Sequence, residues 1–226
     1  MKTDSPNPQD NAVLDHLVVA AQTLEQGSDY IGVLFGVPIQ IGGRHLNQGT
    51  HNQLLSLGPS CYLEIIAIDP DGTAPDRPRW FGLDDPDLQR ALAEQPRLIT
   101  WVARCGDIGD RLARADIGAH EVRPMQRADL RWRMSFTPDG NLLEQGIIPP
   151  LIQWQSEPHP ASRLTDVGCR LRSLSAAHTD PDRVKRLLLG LGLSQQIEVH
   201  GPRPESPPGL SAVIETPTGP RSIPGH

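Results

Sequence analysis

An apolar strand, a helix with a clear start signal and a run of further strands recur along this chain with a period of roughly 80 residues, the mark of a fold built from repeated units. This recurrence limits the architecture more than length does, since 226 residues would fit one large domain, two domains or several modules. The first unit spans residues 13–70 and opens with the strand LDHLVVAA, Leu14–Ala21. Thr23 stands at an N-cap position with Gln26 three residues on. The helix that follows would bury Leu24, Tyr30, Ile31, Leu34 and Phe35 and stop at Gly36, which can take the left-handed C-terminal conformation. Val37, Ile39 and Ile41 alternate with Pro38 and Gln40 in a strand that Pro38 assigns to a sheet edge. THNQLLSL and CYLEIIAI complete the unit.

Residues 71–96 are dense in Pro, Asp and Gly and read as a linker with one short helix begun by Asp85 and Pro86. Residues 97–155 repeat the order: a strand at Leu98–Cys105, a helix at Ile108–Ala115 capped by Asp107, a strand around His120–Met125, then LRWRMSF, a PDGN turn and the closing LIQW. After a second linker at 156–168, the unit 169–226 offers a strand from Cys169, a helix with Asp180 as N-cap before Pro181, and strands in QQIEVHGP and LSAVIETP. It reads as one strand short. The expected class is α+β, built from βαβββ modules of which the third is an incomplete βαββ.

Two strands carry the residues of chemical interest. Strict alternation puts Leu14, His16, Val18 and Ala20 on one face, and Asp15, Leu17, Val19 and Ala21 on the other. In CYLEIIAID, Glu64 shares a face with Tyr62 and Ile66. Each strand is apolar on both sides and carries one buried-looking ionisable residue, His16 or Glu64. A wholly structural role fits poorly, because burying a carboxylate costs several kcal/mol unless it is paired.

Composition closes off other classes. A formal net charge of −6 disfavours a nucleic-acid groove or an anionic membrane surface, which need clustered positive charge. The three cysteines, Cys61, Cys105 and Cys169, are widely spaced and form no CxxC pair, which fits a reduced, cytoplasmic protein. The polar stretch at 1–12 has no apolar signal-peptide core and reads as a disordered tail. No run reaches the ~20 apolar residues that span a bilayer. There is also no GxSxG, phosphate loop or dinucleotide fingerprint.

LDHLVVAA, followed about thirty residues later by GGRHLNQGTHNQLLSLGPSCYLEIIAID, resembles the glyoxalase-like branch of the vicinal oxygen chelate superfamily. LITWVARCGD, LRWRMSF, PPLIQW, GCRLRSL and AVIETPTGP extend the resemblance in the same order, from Val13 to Pro220. The resemblance implies paired βαβββ modules whose curled mixed sheets form a cup, with helices outside. In metal-dependent members, a divalent metal such as Zn, Ni, Mn or Fe takes one ligand from the first and one from the last strand of each of two modules. His16 and Glu64 occupy the first-module positions. Aligning LITWVAR with LDHLVVA sets Thr100 opposite His16, and aligning LIQW with YLEI sets Gln153 opposite Glu64, so the implied set is His16, Glu64 and Gln153. The third unit would instead offer Ser173 and Glu215. Neither alignment supplies two more strong ligands, and the alternative is a metal-free pocket in which His16 and Glu64 bond to each other.

The resemblance further implies a small-molecule ligand and pairing as a homodimer. In an enzyme, Glu64 would be general base or ligand, and His16 ligand or proton carrier. The reaction would be proton abstraction beside a carbonyl, as in lyases and isomerases, or ring opening by a dioxygenase if the metal is iron. The alternative is non-catalytic binding, as in drug-sequestering resistance proteins. In GGRHLNQGTHNQ, His45, Thr50 and Asn52 match the family pattern most closely as substrate-binding residues, against the plainer reading of a polar hairpin in solvent. Arg131 and Arg133 share a strand face opposite Trp132, Met134 and Phe136. With helices outside, the arginine face is expected to line the cup and anchor an anion. Trp101 and Trp154 are expected in the core, and His159 at a turn.

Overall fold

The structure is a computed structural model that describes residues 12–204 and 207–225; the expected tail, apart from Ala12, lies outside the described residues. The first module runs β1 (Val13–Ala20), α1 (Leu24–Phe35), β2 (Gln40–His45), β3 (Thr50–Ser56) and β4 (Tyr62–Ile68). Its helix begins and ends as the local chemistry dictates. Thr23 accepts the Gln26 amide at 3.1 Å, and Gly36 closes the helix at φ 68° with its N–H on the Gly32 carbonyl. A short helix α2 (Pro86–Glu94), capped by Asp85, leads to the second module: β5 (Arg97–Arg104), α3 (Ile108–Arg114), β6 (Glu121–Arg127), β7 (Leu130–Phe136) and β8 (Leu151–Trp154).

The two modules share one mixed sheet in the order β2-β3-β4-β1-β5-β8-β7-β6. β1 is parallel to β4 and β5 to β8, while β1 and β5 meet antiparallel at the central seam. His16 pairs with Val102 and Val18 with Thr100, so the seam reads alike from either strand and Thr100 holds in β5 the place of His16 in β1. The sheet curls until its edges meet. Arg127 of β6 lies so close over Gly43 of β2 that a Cβ there would stand 3.0 Å from its Cδ. The outer face of the sheet buries Leu17, Val19, Leu63, Ile65 and Trp101, with Ile31 and Phe35 of α1 packed on them.

The third unit departs from the expectation of a missing strand. It runs β9 (Arg170–Ala177), α4 (Pro181–Gly190), β10 (Glu198–His200), β11 (Gly209–Thr216) and β12 (Gly219–Pro224). β12 escapes a sequence reading because GPRSIP carries two prolines; it is tolerated as the outermost strand of its sheet, where missing donors cost little. The pairing also differs from that of the other modules. The sheet order is β10-β9-β11-β12, with β9 central between parallel β10 and antiparallel β11. Leu174, Val184, Leu188 and Ile214 join the core behind the large sheet. The third unit therefore backs the cup, whose sheet comes from the first two modules. Glu144, held at φ 46°, ties this unit to the second module through His178 at 3.4 Å and Arg183 at 2.9 Å.

Candidate functional site

The site is centred on a row of buried polar side chains along the floor of the cup. It begins with an irregularity in β1. The register steps from Leu14 opposite Ala103 to His16 opposite Val102, so Asp15 has no partner on β5. A bulge of this kind re-aims a side chain. Asp15, expected on the face opposite His16, turns instead to accept His16 Nδ1–H at 2.7 Å. It is fully buried, and its other oxygen accepts Trp154 Nε1–H at 3.0 Å and meets His159 Nε2 at 2.8 Å, with the Arg104 guanidinium 3.6 Å away.

His16 Nε2 faces Glu64 Oε2 at 3.6 Å, so the two residues singled out from the sequence do meet. The imidazole stacks on Tyr62, ring centroids 4.5 Å apart. The second oxygen of Glu64 accepts Asn52 Nδ2–H at 2.5 Å. Asn52 is oriented from behind: its Oδ1 accepts the Gly43 amide at 2.9 Å and Arg127 Nη1–H at 2.7 Å. Two donors at one end fix that atom as the carbonyl oxygen and turn the amide nitrogen towards Glu64. His45 Nδ1 lies 3.1 Å from Thr50 Oγ1 and its Nε2 3.5 Å from Asn52 Nδ2; the amide donor makes Nε2 the acceptor, so Nδ1–H donates to Thr50. Of the polar hairpin of the sequence reading, His45, Thr50 and Asn52 are buried at the cup floor, with Thr50 supporting His45 from behind, while Arg44, Leu46 and Asn47 stay exposed.

Charge in this row follows from burial set against partners. Burial alone would lower the His16 pKa, but Asp15 and Glu64 on either side outweigh it and raise it to about 9. Burial would raise that of Glu64, yet the facing His16, then His45 and Asn52, hold it at about 2. Asp15, despite complete burial, is held well below the usual carboxylate range by His159 and His16. Burial dominates at His45 and pushes it to about 4, with Glu64 only partly opposing, so this imidazole is neutral. At neutral pH the floor carries an imidazolium between two carboxylates.

Above this floor is a narrow, partly open pocket. Its walls are apolar and aromatic: Tyr62, Trp80, Phe81, Trp132, Met134, Ile152 and Trp154 line it together with His16, His45, Asn52, Glu64 and Arg127. Three expectations are corrected here. Trp132 and Met134 face the cup, so Arg131 and Arg133 on alternate positions of β7 face away; Arg131 is exposed and Arg133 Nη1 reaches Gln153 Oε1 at 3.5 Å. The cup at this end is closed by apolar side chains from the linker, which is why the apolar face of β7 turns inward. Gln153 is on the outer side too, its amide donated to the Gly106 carbonyl. Trp154, expected in the core, lines the cup.

Sequence reasoning missed Asp15, Arg127, Trp80 and Phe81. The first depends on a bulge, the second on sheet closure, and the last two sit in the segment read as a linker. Gly82 N–H on the Gly140 carbonyl at 2.8 Å pins that segment over the cup. His159 does serve its turn, accepting the Ala161 amide at 3.2 Å, while its other nitrogen reaches Asp15.

A divalent metal at His16 and Glu64 would need donors from β5 and β8. Thr100 donates its hydroxyl to the Gly146 carbonyl at 2.9 Å. On β8, the parallel register sets Leu151 opposite Ala103 as Ile65 lies opposite Val19, so the counterpart of Glu64 is Pro150, which has no donor side chain. Among the described residues no three His, Cys, Asp or Glu side chains are grouped to hold a metal ion. The donor set does not fit the implied four-ligand centre.

No curated protein matches the sequence. Among solved structures, the chain is similar to a hypothetical protein from Staphylococcus aureus, with 15% identity, a TM-score of 0.56 and coverage of 80% of this chain and 74% of that one. It is also similar to a methylmalonyl-CoA epimerase from Streptomyces coelicolor in complex with 2-nitronate-propionyl-CoA, with 17% identity, a TM-score of 0.42 and coverage of 65% and 97%. The family model described as a glyoxalase-like domain matches residues 14–192. With the curled sheet of two βαβββ modules and this match over most of its length, the chain belongs to the glyoxalase-like family of the vicinal oxygen chelate superfamily.

Proposed function

We propose that the cup binds, without a metal, a small and largely apolar molecule carrying at least one carbonyl or carboxylate oxygen. One observation carries this reading. The buried indole N–H groups of Trp80 and Trp132, both in the cup wall, have no acceptor among the described residues. Buried donors are normally paired, and an unpaired one calls for an explanation; a ligand oxygen supplies one for both. The aromatic walls suit a planar or hydrocarbon body, and Arg127 adds a positive charge at the rim.

Binding is favoured over turnover by the electrostatics. Proton abstraction beside a carbonyl works best with a base poised near neutrality, whereas Glu64 is held at about 2 and His16 at about 9. Each stabilises the charged form of the other. The lyase or isomerase reading, with Glu64 as base, would require the ligand to part this pair.

The test is calorimetric titration with benzoate and acetophenone, with and without chelator. Saturable binding that is indifferent to EDTA is expected, weakened roughly tenfold by Trp132→Phe through loss of one hydrogen bond. Binding that appears only on adding a divalent metal would overturn the reading. Glu64-dependent exchange of the acetophenone methyl protons with solvent would favour catalysis instead.

A further inference from the structure

We propose that the cup recognises its ligand through a neutral hydroxyl group, held at one oxygen between His16 Nε2 and Glu64 Oε2, which narrows the ligand class to hydroxyl-bearing carbonyl compounds. The inference rests on the cup being a small-molecule site. Its ground is a gap in the floor. His16 Nε2 and Glu64 Oε2 stand 3.6 Å apart, beyond the roughly 2.7–2.9 Å of a charged hydrogen bond, and neither atom has another hydrogen-bond partner among the described residues. Both residues are buried and both line the pocket. The framework keeps the pair from closing. His16 is fixed by its Nδ1–H bond to Asp15 at 2.7 Å and by its stack on Tyr62. Glu64 is fixed through Oε1, which accepts from an Asn52 amide that Gly43 and Arg127 hold in turn. His45 is already paired at both nitrogens, with Thr50 and Asn52. The donor and acceptor left over on the floor therefore lie side by side, in a pocket with enclosed room for about one water.

The chemistry of that place selects what fills it. Two atoms 3.6 Å apart leave a position about 2.8 Å from each, the ordinary length of a hydrogen bond to oxygen. An oxygen there must accept from the imidazole N–H and donate to the carboxylate, and a hydroxyl does both at one atom. A ketone or ether oxygen would accept but leave Oε2 without a donor. A carboxylate would set a second negative charge against Glu64, and an ammonium could donate to Glu64 but accept nothing from His16. An unmade bond to a buried charged group is costly, so these alternatives are strongly disfavoured. A water can take the same place in the free protein, and a ligand oxygen that lacks a proton cannot reproduce both of its bonds on displacing it. The body of the ligand then extends along the aromatic walls towards the open side of the pocket.

The experiment is calorimetric titration of the full chain with acetophenone, with hydroxyacetophenones bearing the hydroxyl on the methyl carbon or at the ortho, meta or para ring position, and with the methyl ether of each. At least one hydroxyl compound should bind roughly tenfold or more tighter than both acetophenone and its own methyl ether. Glu64→Gln, which puts a neutral amide in place of the carboxylate, should shrink that preference to within about twofold. If this variant does not fold, the wild-type comparison of hydroxyl with ether decides by itself. Hydroxyl compounds that bind no tighter than their ethers, or a preference that survives Glu64→Gln, overturn the hydroxyl site, while saturable binding of acetophenone leaves the cup reading intact. Failure of every compound to bind overturns both readings.

Discussion

Asp15→Asn isolates the group on which the charge of the cup floor depends. His16 keeps its proton in the folded state because Asp15 Oδ1 accepts its Nδ1–H at 2.7 Å and Glu64 faces its other nitrogen. The folded pKa of about 9 lies above the ordinary 6.5. A raised pKa stabilises the fold in full below the unfolded value and loses that contribution as pH rises through the folded one, since the native state then binds more protons than the unfolded chain. The whole contribution is about 3 kcal/mol, of which about 1 kcal/mol disappears between pH 7 and pH 8. That window is clean. His45, with a folded pKa of about 4, contributes its opposite slope below pH 7, and the unfolded cysteines ionise mostly above pH 8. Urea unfolding at pH 7 and 8 should therefore show the wild-type protein losing about 1 kcal/mol and the Asp15→Asn variant losing almost none. Histidine NMR should place the His16 midpoint near 9 in the wild type and roughly two units lower in the variant, where burial opposes the charge with one partner gone. A wild-type midpoint near 6.5, or a slope that Asp15→Asn leaves unchanged, would refute the reasoning.

Other perturbations test the rest of the site. Arg127→Ala removes one of the two donors that orient Asn52, so the Glu64 pKa should rise from about 2 in a carboxyl NMR titration, with a loss of about 1–2 kcal/mol in unfolding free energy. Gly42→Ala should displace Asn52, because a Cβ there would lie 2.1 Å from Oδ1 and 2.7 Å from the backbone carbonyl oxygen of that residue; the expected cost is about 1–3 kcal/mol, read by urea unfolding. Arg131→Ala and Arg133→Ala should leave calorimetric ligand affinity within about twofold and stability within about 0.5 kcal/mol, since both side chains sit on the far side of β7 from the cup. Extended dialysis against chelator should leave the melting temperature and ligand affinity unchanged, because the donor set on β5 and β8 cannot complete a metal centre.

Local chemistry made much of the framework legible. Thr23, Asp85, Asp107 and Asp180 cap the helices that follow them, and β2 forms an edge of the large sheet. These features depend on neighbours in sequence, and so does the burial of His16 and Glu64, since an ionisable residue within a run apolar on both faces has nowhere to go but inside. Alternation also separated Trp132 from Arg131 and Arg133. It could not say which face was inner, because that depends on what covers the strand. Here the covering residues are Trp80 and Phe81, supplied by a segment with no periodicity.

Local pattern in the sequence was enough for the order of elements as far as β11 and for the two ionisable residues around which the cup is built. Tertiary structure alone decided that Asp15 bends round to His16, because a bulge exists only relative to the opposite strand. It alone brought Arg127 to Asn52, which requires the sheet to curl until β6 meets β2. It also set the third unit behind the cup, since strand pairing is a choice among distant partners that local pattern does not encode. The charge of His16 belongs to this second class: a histidine in an apolar strand would be neutral, and the carboxylates that fold against it on both sides make it a cation.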